Sequence, residues 1–382
     1  MRGITRLLWR RELWVWDILF GMAEKNEPLT YKSAGVDIAA GNAAVDRIRF
    51  LCQRTHSTRV LGKYGAFAGL FRLDFPEKLF ARNYKEPVLI ACTDGVGTKI
   101  KIASAMKKYD TVGIDCVAMN VNDLIVQGGE PLFFLDYLAL HKIDPEITVQ
   151  MLKGISDGCM EAGCSLLGGE TAEMPDLYAP GEFDMAGFAV GVVEHHKILD
   201  GSDIDIGDSI IGLASNGIHS NGYALVRRIV EKTGNNLADF IPELTCPLGE
   251  ELLRPTRLYA RPIQKLLAKY KVKRIVKGMA HITGGGLAGN VPRMLPKGFT
   301  ARLKRDSWTV PPIFQWLQNS GPVDLEEMYN VFNMGIGFVL IVRPAFTKPI
   351  MTHLRTLGEK PYFLGKVRKG KGGCDEPTLE WS

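Results

Sequence analysis

The stretch PVLIACTDGVGTK (87–99), continued by TVGIDCVAMNVNDLIVQGGEPLFFLDYLAL (111–140), decides the architecture. Residues 87–93 are an apolar run opened by Pro87 and closed by a glycine turn, which predicts a buried strand. Val117, Met119 or Val121, Leu124 and Ile125 recur at helical spacing over 111–129, and the pattern stops at Gly128-Gly129 as a helix end does. PLFFLDYLAL (131–140) reads as the next strand. A helix over about 146–162, the segment SLLGGET and the apolar strand FDMAGFAVGVV (183–193) continue the alternation, which is the pattern of an α/β chain.

Outward from this region the pattern breaks at EHHKILDGS (194–202), and a second alternating region opens with DSIIGLAS. It predicts a helix over 221–233, helical material over 249–270, a glycine loop at 284–289 and an edge-like strand IGFVLIV (336–342). A chain of 382 residues suits two domains of ordinary size, divided here into 31–197 and 198–382 after an N-terminal extension, 1–30. Within that extension, charges interrupt every apolar run around Trp9, Trp14 and Trp16, so it is no signal peptide, and Glu12 and Asp17 argue against a transit peptide. Met22 opens a polar stretch typical of a cytosolic N-terminus, so the extension is expected to be disordered or to precede the true start.

Glycine is enriched, at 41 of 382 residues or about 11%, against a usual figure of about 7%. No three-residue period or low-complexity tract accompanies it, which excludes collagen and flexible linkers and leaves turns, or loops that approach a ligand. The net charge of +5 sits partly at the chain ends, in Arg2, Arg6, Arg10, Arg11, Lys366, Arg368, Lys369 and Lys371. The body is close to neutral, unlike a dedicated nucleic-acid binder. Seven cysteines with no CxxC suggest a reducing, cytoplasmic setting, and Cys92 and Cys116 read as small buried hydrophobes. No run reaches the roughly 18 apolar residues of a membrane helix.

Several short polar loops bounded by glycine could carry chemistry. Asp94-Gly95-Val96-Gly97-Thr98-Lys99 offers a metal-ligating acid, backbone N–H groups and a phosphate-facing cation, although it is neither a Walker loop nor GxGxxG. Asn122-Asp123, with Asp115 upstream, places acids in an otherwise apolar helix, and Asp94 with Asp123 would suit Mg²⁺. Gly168-Gly169-Glu170-Thr171 is a further loop able to face a cation. Ser215 to Gly222 leads into a helix and contains His219, a candidate acid or base, with Ser220 and Asn221 beside it. His281-Ile282-Thr283-Gly284-Gly285-Gly286 can form a phosphate-binding nest, and Gly62-Lys63-Tyr64-Gly65 could be a lid or a hairpin. Taken singly, each also fits a tight turn, a capped helix or a flexible loop.

Read in order, these stretches resemble the phosphoribosylformylglycinamidine cyclo-ligase (aminoimidazole ribonucleotide synthetase) family of purine biosynthesis. The resemblance rests on YKSAGVDIAAGN (31–42), TDGVGTK (93–99), VAMNVNDLIVQGGEPLFFLDY (117–137), GCSLLGGETAEMP (163–175), SNGIHSNGYALVRRIV (215–230), HITGGG (281–286) and EMYNVFNMGIG (327–337), collinear over about 31–365. It implies two mixed-sheet α/β domains, an N-terminal sheet that closes a barrel across a homodimer and a C-terminal sheet covered by helices. It further implies ATP and Mg²⁺, formylglycinamidine ribonucleotide as substrate, and a monofunctional enzyme without nucleic-acid or membrane partners. ATP would phosphorylate the formyl amide oxygen, and the amidine nitrogen would close the ring, releasing ADP and phosphate.

Carried over, Asp94, Asp123, Lys99 and His219 become the catalytic candidates. Asp94, Asp123 and Glu170 become the metal candidates. Gly95, Val96, Gly97, Thr98, Asn122, Gly62 and Gly65 would contact nucleotide. Ser220, Asn221, Thr283, Gly284, Gly285, Gly286 and His281 would contact substrate. The segment 61–69 is poorer in glycine than the family's loop, and Pro262 predicts a kink where the family has an unbroken helix. The alternatives are another ATP-dependent phosphoryl-transfer enzyme of the same fold, or a non-catalytic nucleotide-binding protein.

Overall fold

The computed structural model describes residues 47–61, 68–73, 84–270, 274–370 and 376–382. The expected N-terminal extension therefore lies outside the described residues. Strands β1 (Pro87–Gly95), β2 (Glu130–Leu140), β3 (Ser165–Glu173) and β4 (Phe183–Glu194) form one sheet in the order β1-β4-β2-β3. β4 pairs antiparallel with β1 and β2, while β2 and β3 are parallel, so the sheet is mixed. The segment GGET, expected as a loop, is part of β3.

Helix α1 (Asp110–Val126) packs across this sheet and is buried on nearly every side, which explains an apolar pattern that runs around the whole helix. Helix α2 (Pro145–Ala162) lies against α1 and supplies the crossover between the parallel strands. Its boundaries are set locally. The Asp144 carboxylate accepts from the N–H groups of Glu146 and Ile147, Pro145 opens the first turn, and Gly163 closes the helix at φ 80°. The two helices touch at Gly113 and Gly154, where a Cβ on Gly154 would stand 1.8 Å from the Asp110 carbonyl oxygen. Only glycine permits that crossing.

The second sheet contains β5 (Ser209–Ala214), β6 (Val276–His281), β7 (Phe299–Leu303), β8 (Ile336–Val342), β9 (Pro361–Lys369) and β10 (Thr378–Trp381), in the order β6-β8-β5-β9-β7-β10. β8, expected at an edge, instead lies between β6 and β5. Every residue of β8 is buried, and an unbroken apolar run without alternation is the mark of a strand covered on both faces. Helices α3 (Tyr223–Thr233), α4 (Ala260–Lys269) and α5 (Thr347–Thr356) belong to this half, with α5 packed on β5, β9 and α4. Pro262 does not kink a helix. It sits in the first turn of α4, where its missing N–H is one of those that have no helical partner anyway. Helix α1 also contacts β6 and α4, so it is the seam between the two halves.

Candidate active site

β1 carries Asp94 one residue before its end at Gly95, and the chain turns through Gly97 at φ 72°. Within this loop the Gly95 N–H is held by the Asp94 carboxylate at 2.8 Å, and the Val96 N–H by the Met185 carbonyl at 3.3 Å. Gly97 and Thr98 are exposed. Burial, opposed by that Gly95 hydrogen bond and reinforced by the nearby Asp123 carboxylate, raises the Asp94 acid above its ordinary 3.8. The same two causes, burial first and Asp123 second, push the Cys92 thiol up to about 12, so Cys92 is no nucleophile here.

Asp123 projects from α1 to His281 at the end of β6, with Oδ1 to Nδ1 at 2.8 Å. The imidazole is buried, whereas the carboxylate is 43% exposed. Asn122 presents Nδ2 to His281 Nε2 at 3.4 Å, which leaves Nδ1–H to donate to Asp123. Asn122 also donates to the Arg257 carbonyl at 2.8 Å and accepts from the Tyr259 N–H at 3.0 Å. It thus sets the imidazole rather than facing nucleotide. A cavity of about 190 Å³ opens beside the pair, lined by Asp123, His281, Asp200, Asn290 and Arg293 among others.

Lys99 departs from expectation. It is fully buried, its ammonium 2.7 Å from the equally buried Asp115, and it donates to the carbonyls of His219 at 3.0 Å and Arg254 at 2.7 Å. An ammonium has three donors, and all three are used. It has none left for a phosphate. Burial pulls its pKa down from 10.5, opposed by Asp115.

His219 is likewise buried, and its backbone is left-handed at φ 69°. Its Nε2 accepts the N–H groups of Asn216 at 3.1 Å and Arg257 at 3.4 Å. Burial, with His281 and Lys99 as further causes, holds its pKa well below 6.5. Its Nε2 is thus occupied by the chain and ties the 216–219 loop to Arg257, while its buried Nδ1 has no hydrogen-bond partner among the described residues.

The remaining loops converge. Ser220 donates to the Val96 carbonyl at 2.7 Å, which ties the two glycine loops together. A Cβ on Gly284 would meet the Asn221 Oδ1 at 3.4 Å, so the 219–222 and 283–286 loops adjoin. Asn290 donates to the carbonyls of Thr283, Gly284 and Gly286, which shapes the Thr283–Gly286 turn with Gly284 and Gly285 exposed. Gly62 and Gly65 lie outside the described residues.

Glu170 is not brought to Asp94. The register runs Asp94, Gly187, Asp136, Gly169 across the sheet, so Glu170 is on β3, three strand spacings or about 14 Å from β1. Sequence reasoning missed Asp136. Its acid is buried and raised to about 7, chiefly by burial and further by Glu170. The available signal was an acid alternating with Phe134 and Leu138 in an otherwise apolar strand. Among the described residues no three His, Cys, Asp or Glu side chains gather as a metal cluster. Asp94 and Asp123 remain a pair of hard oxygen donors whose mutual repulsion a cation would relieve, and this fits Mg²⁺ held by one or two carboxylates.

The fold defines the class. Residues 81–193 match the family model "AIR synthase related protein, N-terminal domain", and residues 205–374 match its C-terminal counterpart. Thiamine-monophosphate kinase from Stenotrophomonas maltophilia K279a shares the fold at TM-score 0.64 and 17% identity, covering 88% of this chain and 96% of that one. The hydrogenase maturation protein HypE in complex with ATP does so at TM-score 0.60 and 16% identity, covering 88% and 91%.

Much nearer in sequence is the phosphoribosylformylglycinamidine cyclo-ligase of Geobacillus sp. (strain WCH70), 53% identical over 90% of this chain and 96% of its own. That of Syntrophus aciditrophicus (strain SB) is 51% identical over 91% and 97%. The chain belongs to the phosphoribosylformylglycinamidine cyclo-ligase family and is an enzyme of that kind.

Proposed function

We propose that the enzyme uses ATP to phosphorylate the formyl amide oxygen of formylglycinamidine ribonucleotide and closes the imidazole ring with the amidine nitrogen, giving aminoimidazole ribonucleotide, ADP and phosphate. The observation that carries this reading is the convergence of Asp94, Asp123 and His281 with the Gly95–Thr98, Ser220–Asn221 and Thr283–Gly286 loops around one seam. Phosphoryl transfer asks for positioning and charge neutralisation rather than a protein nucleophile, and this site holds carboxylates and exposed glycine backbone beside a thiol kept protonated. Asp94 and Asp123 would hold Mg²⁺, which when bound neutralises developing phosphate charge. Asp123 orients the His281 ring, and the two side chains line one cavity, so this pair would take up the amidine proton.

The N-terminal sheet supports a homodimer. Its face away from α1 exposes Leu89 at 62% and Phe188 at 43%, with Phe133, Leu135 and Tyr137 on the same face, a composition that another sheet would cover. Light scattering should give about twice the 42.3 kDa of the chain, and a monomer would overturn this. No helix among the described residues is long and apolar enough to cross a membrane. We assign the enzyme to the cytoplasm, and the division at 197/198 to an ATP-binding and dimerising half and a substrate-binding half.

ADP release, followed with and without formylglycinamidine ribonucleotide, tests the reaction. Turnover of ATP that requires this substrate and yields a cyclised product is expected; ATP hydrolysis indifferent to it sinks the proposal.

A further inference from the structure

Besides the Asn122 and Asp123 contacts already described, a second group of polar contacts crosses from the N-terminal half to the C-terminal half at the seam. Lys99 reaches the His219 and Arg254 carbonyls. Asp115 accepts from both the N–H and the hydroxyl of Thr256, at 2.7 and 2.6 Å. The Ser220 hydroxyl returns to the Val96 carbonyl. Lys99 and Asp115 are each 0% exposed and 2.7 Å apart, and neither has contact with the cavity beside His281.

We propose that Lys99, paired with Asp115, is a positioning residue for the family reaction: it clasps the His219–Asn221 loop onto the Asp94–Thr98 loop and so fixes the distance between nucleotide and substrate. The inference rests on the reading of those two loops given above. The geometry explains why a lysine is needed. The His219 carbonyl is presented by a left-handed residue, a conformation that persists only where its surroundings over-determine it. Lys99 supplies an anchor on the oxygen, and the Asn216 and Arg257 N–H groups supply another on the ring. Releasing the first lets Ser220 and Asn221 drift from Val96 and Gly284. Reaction geometry is sensitive to such shifts, and a misplacement of about 1 Å costs on the order of 10²-fold in rate. Nucleotide and substrate would still bind to their own loops, so the loss should appear in kcat more than in KM.

The decisive variant is the double substitution Lys99→Met with Asp115→Leu. Single changes strand a buried charge and unfold the chain, whereas replacing both partners with apolar residues often restores stability. The proposal expects a folded chain with a lowered thermal midpoint, since the His219 and Arg254 carbonyls and both Thr256 donors lose their partners. It also expects kcat lower by about 10²-fold, KM values within a few-fold, and faster amide exchange over residues 215–222. Wild-type kcat in the folded variant, or unchanged exchange over 215–222, would make the pair merely structural and overturn it. Thr256→Val decides the matter if the double variant fails to fold, because it removes one donor to Asp115 and leaves the charges paired. A several-fold fall in kcat with faster exchange over 215–222 supports the clasp; wild-type values for both overturn it. Amide exchange needs no turnover, so a wild-type enzyme that fails to cyclise formylglycinamidine ribonucleotide refutes the reaction without deciding the clasp.

Discussion

Two of the three acids of helix α1, Asp115 and Asp123, stand eight positions apart, about 12 Å along its axis, and they end in opposite circumstances. Asp115 is sealed from water, with Lys99 and Thr256 around it. Asp123 is 43% exposed, shares one oxygen with His281, lines a cavity, and its charge raises the Asp94 acid. Both clusters pair an acid of α1 with a basic group from a glycine-rich motif. The difference is access. The Lys99 ammonium is spent inside the chain on Asp115 and two carbonyls. Asp115 Oδ2, apart from that ion pair, and His219 Nδ1 lack a hydrogen-bond partner among the described residues, but both are buried and neither residue lines the cavity. Around Asp123 the charge is open to solvent and unsaturated, and it is felt at Asp94. Accessible, uncompensated charge locates a candidate reacting centre better than residue type does.

The strongest way to break this contrast is to neutralise the unsaturated cluster. Asp94→Asn and Asp123→Asn should each lower substrate-dependent ADP release by about 10³-fold, the scale seen when a group aimed at developing charge is removed, with circular dichroism and thermal midpoint unchanged. Wild-type turnover in either variant would remove that acid from the site. His281→Gln should cost less, about 10²-fold, the lower part of the usual range for a positioned acid or base. It keeps a hydrogen-bonding side chain beside Asp123 while removing the ring's proton acceptor. Wild-type substrate-dependent turnover would assign proton transfer elsewhere.

Much of the fold was legible because local chemistry and tertiary demand agree. The run 87–93 and the strand at 183–193 are strands in place, and α1 and α2 fall where helical spacing put them. β8 was misplaced to an edge although its seven consecutive apolar residues already spoke for a covered position. At the candidate site, the expectation that Asp94 and Asp123 come together from different elements is met to the extent that the Asp123 charge is felt at Asp94. Lys99 was not legible, because a lysine closing a glycine loop looks the same whether it meets phosphate or a buried aspartate. Only the fold reveals that Asp115, sixteen residues downstream, stands beneath it. His219 misled for the same reason, since sequence cannot show that its ring nitrogen is already occupied by the chain.

Asp136 sharpens the contrast from a third position, a buried acid without a lysine partner among the described residues. Its folded pKa of about 7 lies above the ordinary 3.8, so the folded chain retains a proton that the unfolded chain gives up between pH 4 and 7. The stability tied to this group is complete below about pH 4 and lost as pH rises toward 7. Asp136→Asn imitates the protonated acid. It should raise stability at pH 8 by roughly 2 kcal/mol, half of the ceiling that about three pKa units would set, and by nothing at pH 4. Urea midpoints at the two pH values measure this, and a gain that is equal at both would show that Asp136 is ionised without penalty.

The smallest effect distinguishes the two histidines. Burial holds the His219 pKa below 6.5 in the folded chain, so the folded state binds fewer protons than the unfolded one. Its contribution is present above pH 6.5 and falls as the pH drops below that value, by at most about 1.4 kcal/mol per pH unit. Because Asp136 acts in the opposite sense over the neighbouring range, the wild-type curve alone hides the histidine. His219→Gln, whose amide oxygen can accept from the Asn216 N–H in place of Nε2, removes only the titrating part. The gap in stability between wild type and His219→Gln should therefore be widest at pH 8 and should narrow by about 1 kcal/mol by pH 5.5. A gap that stays constant across this range would mean that His219 is protonated as easily folded as unfolded, in spite of its burial.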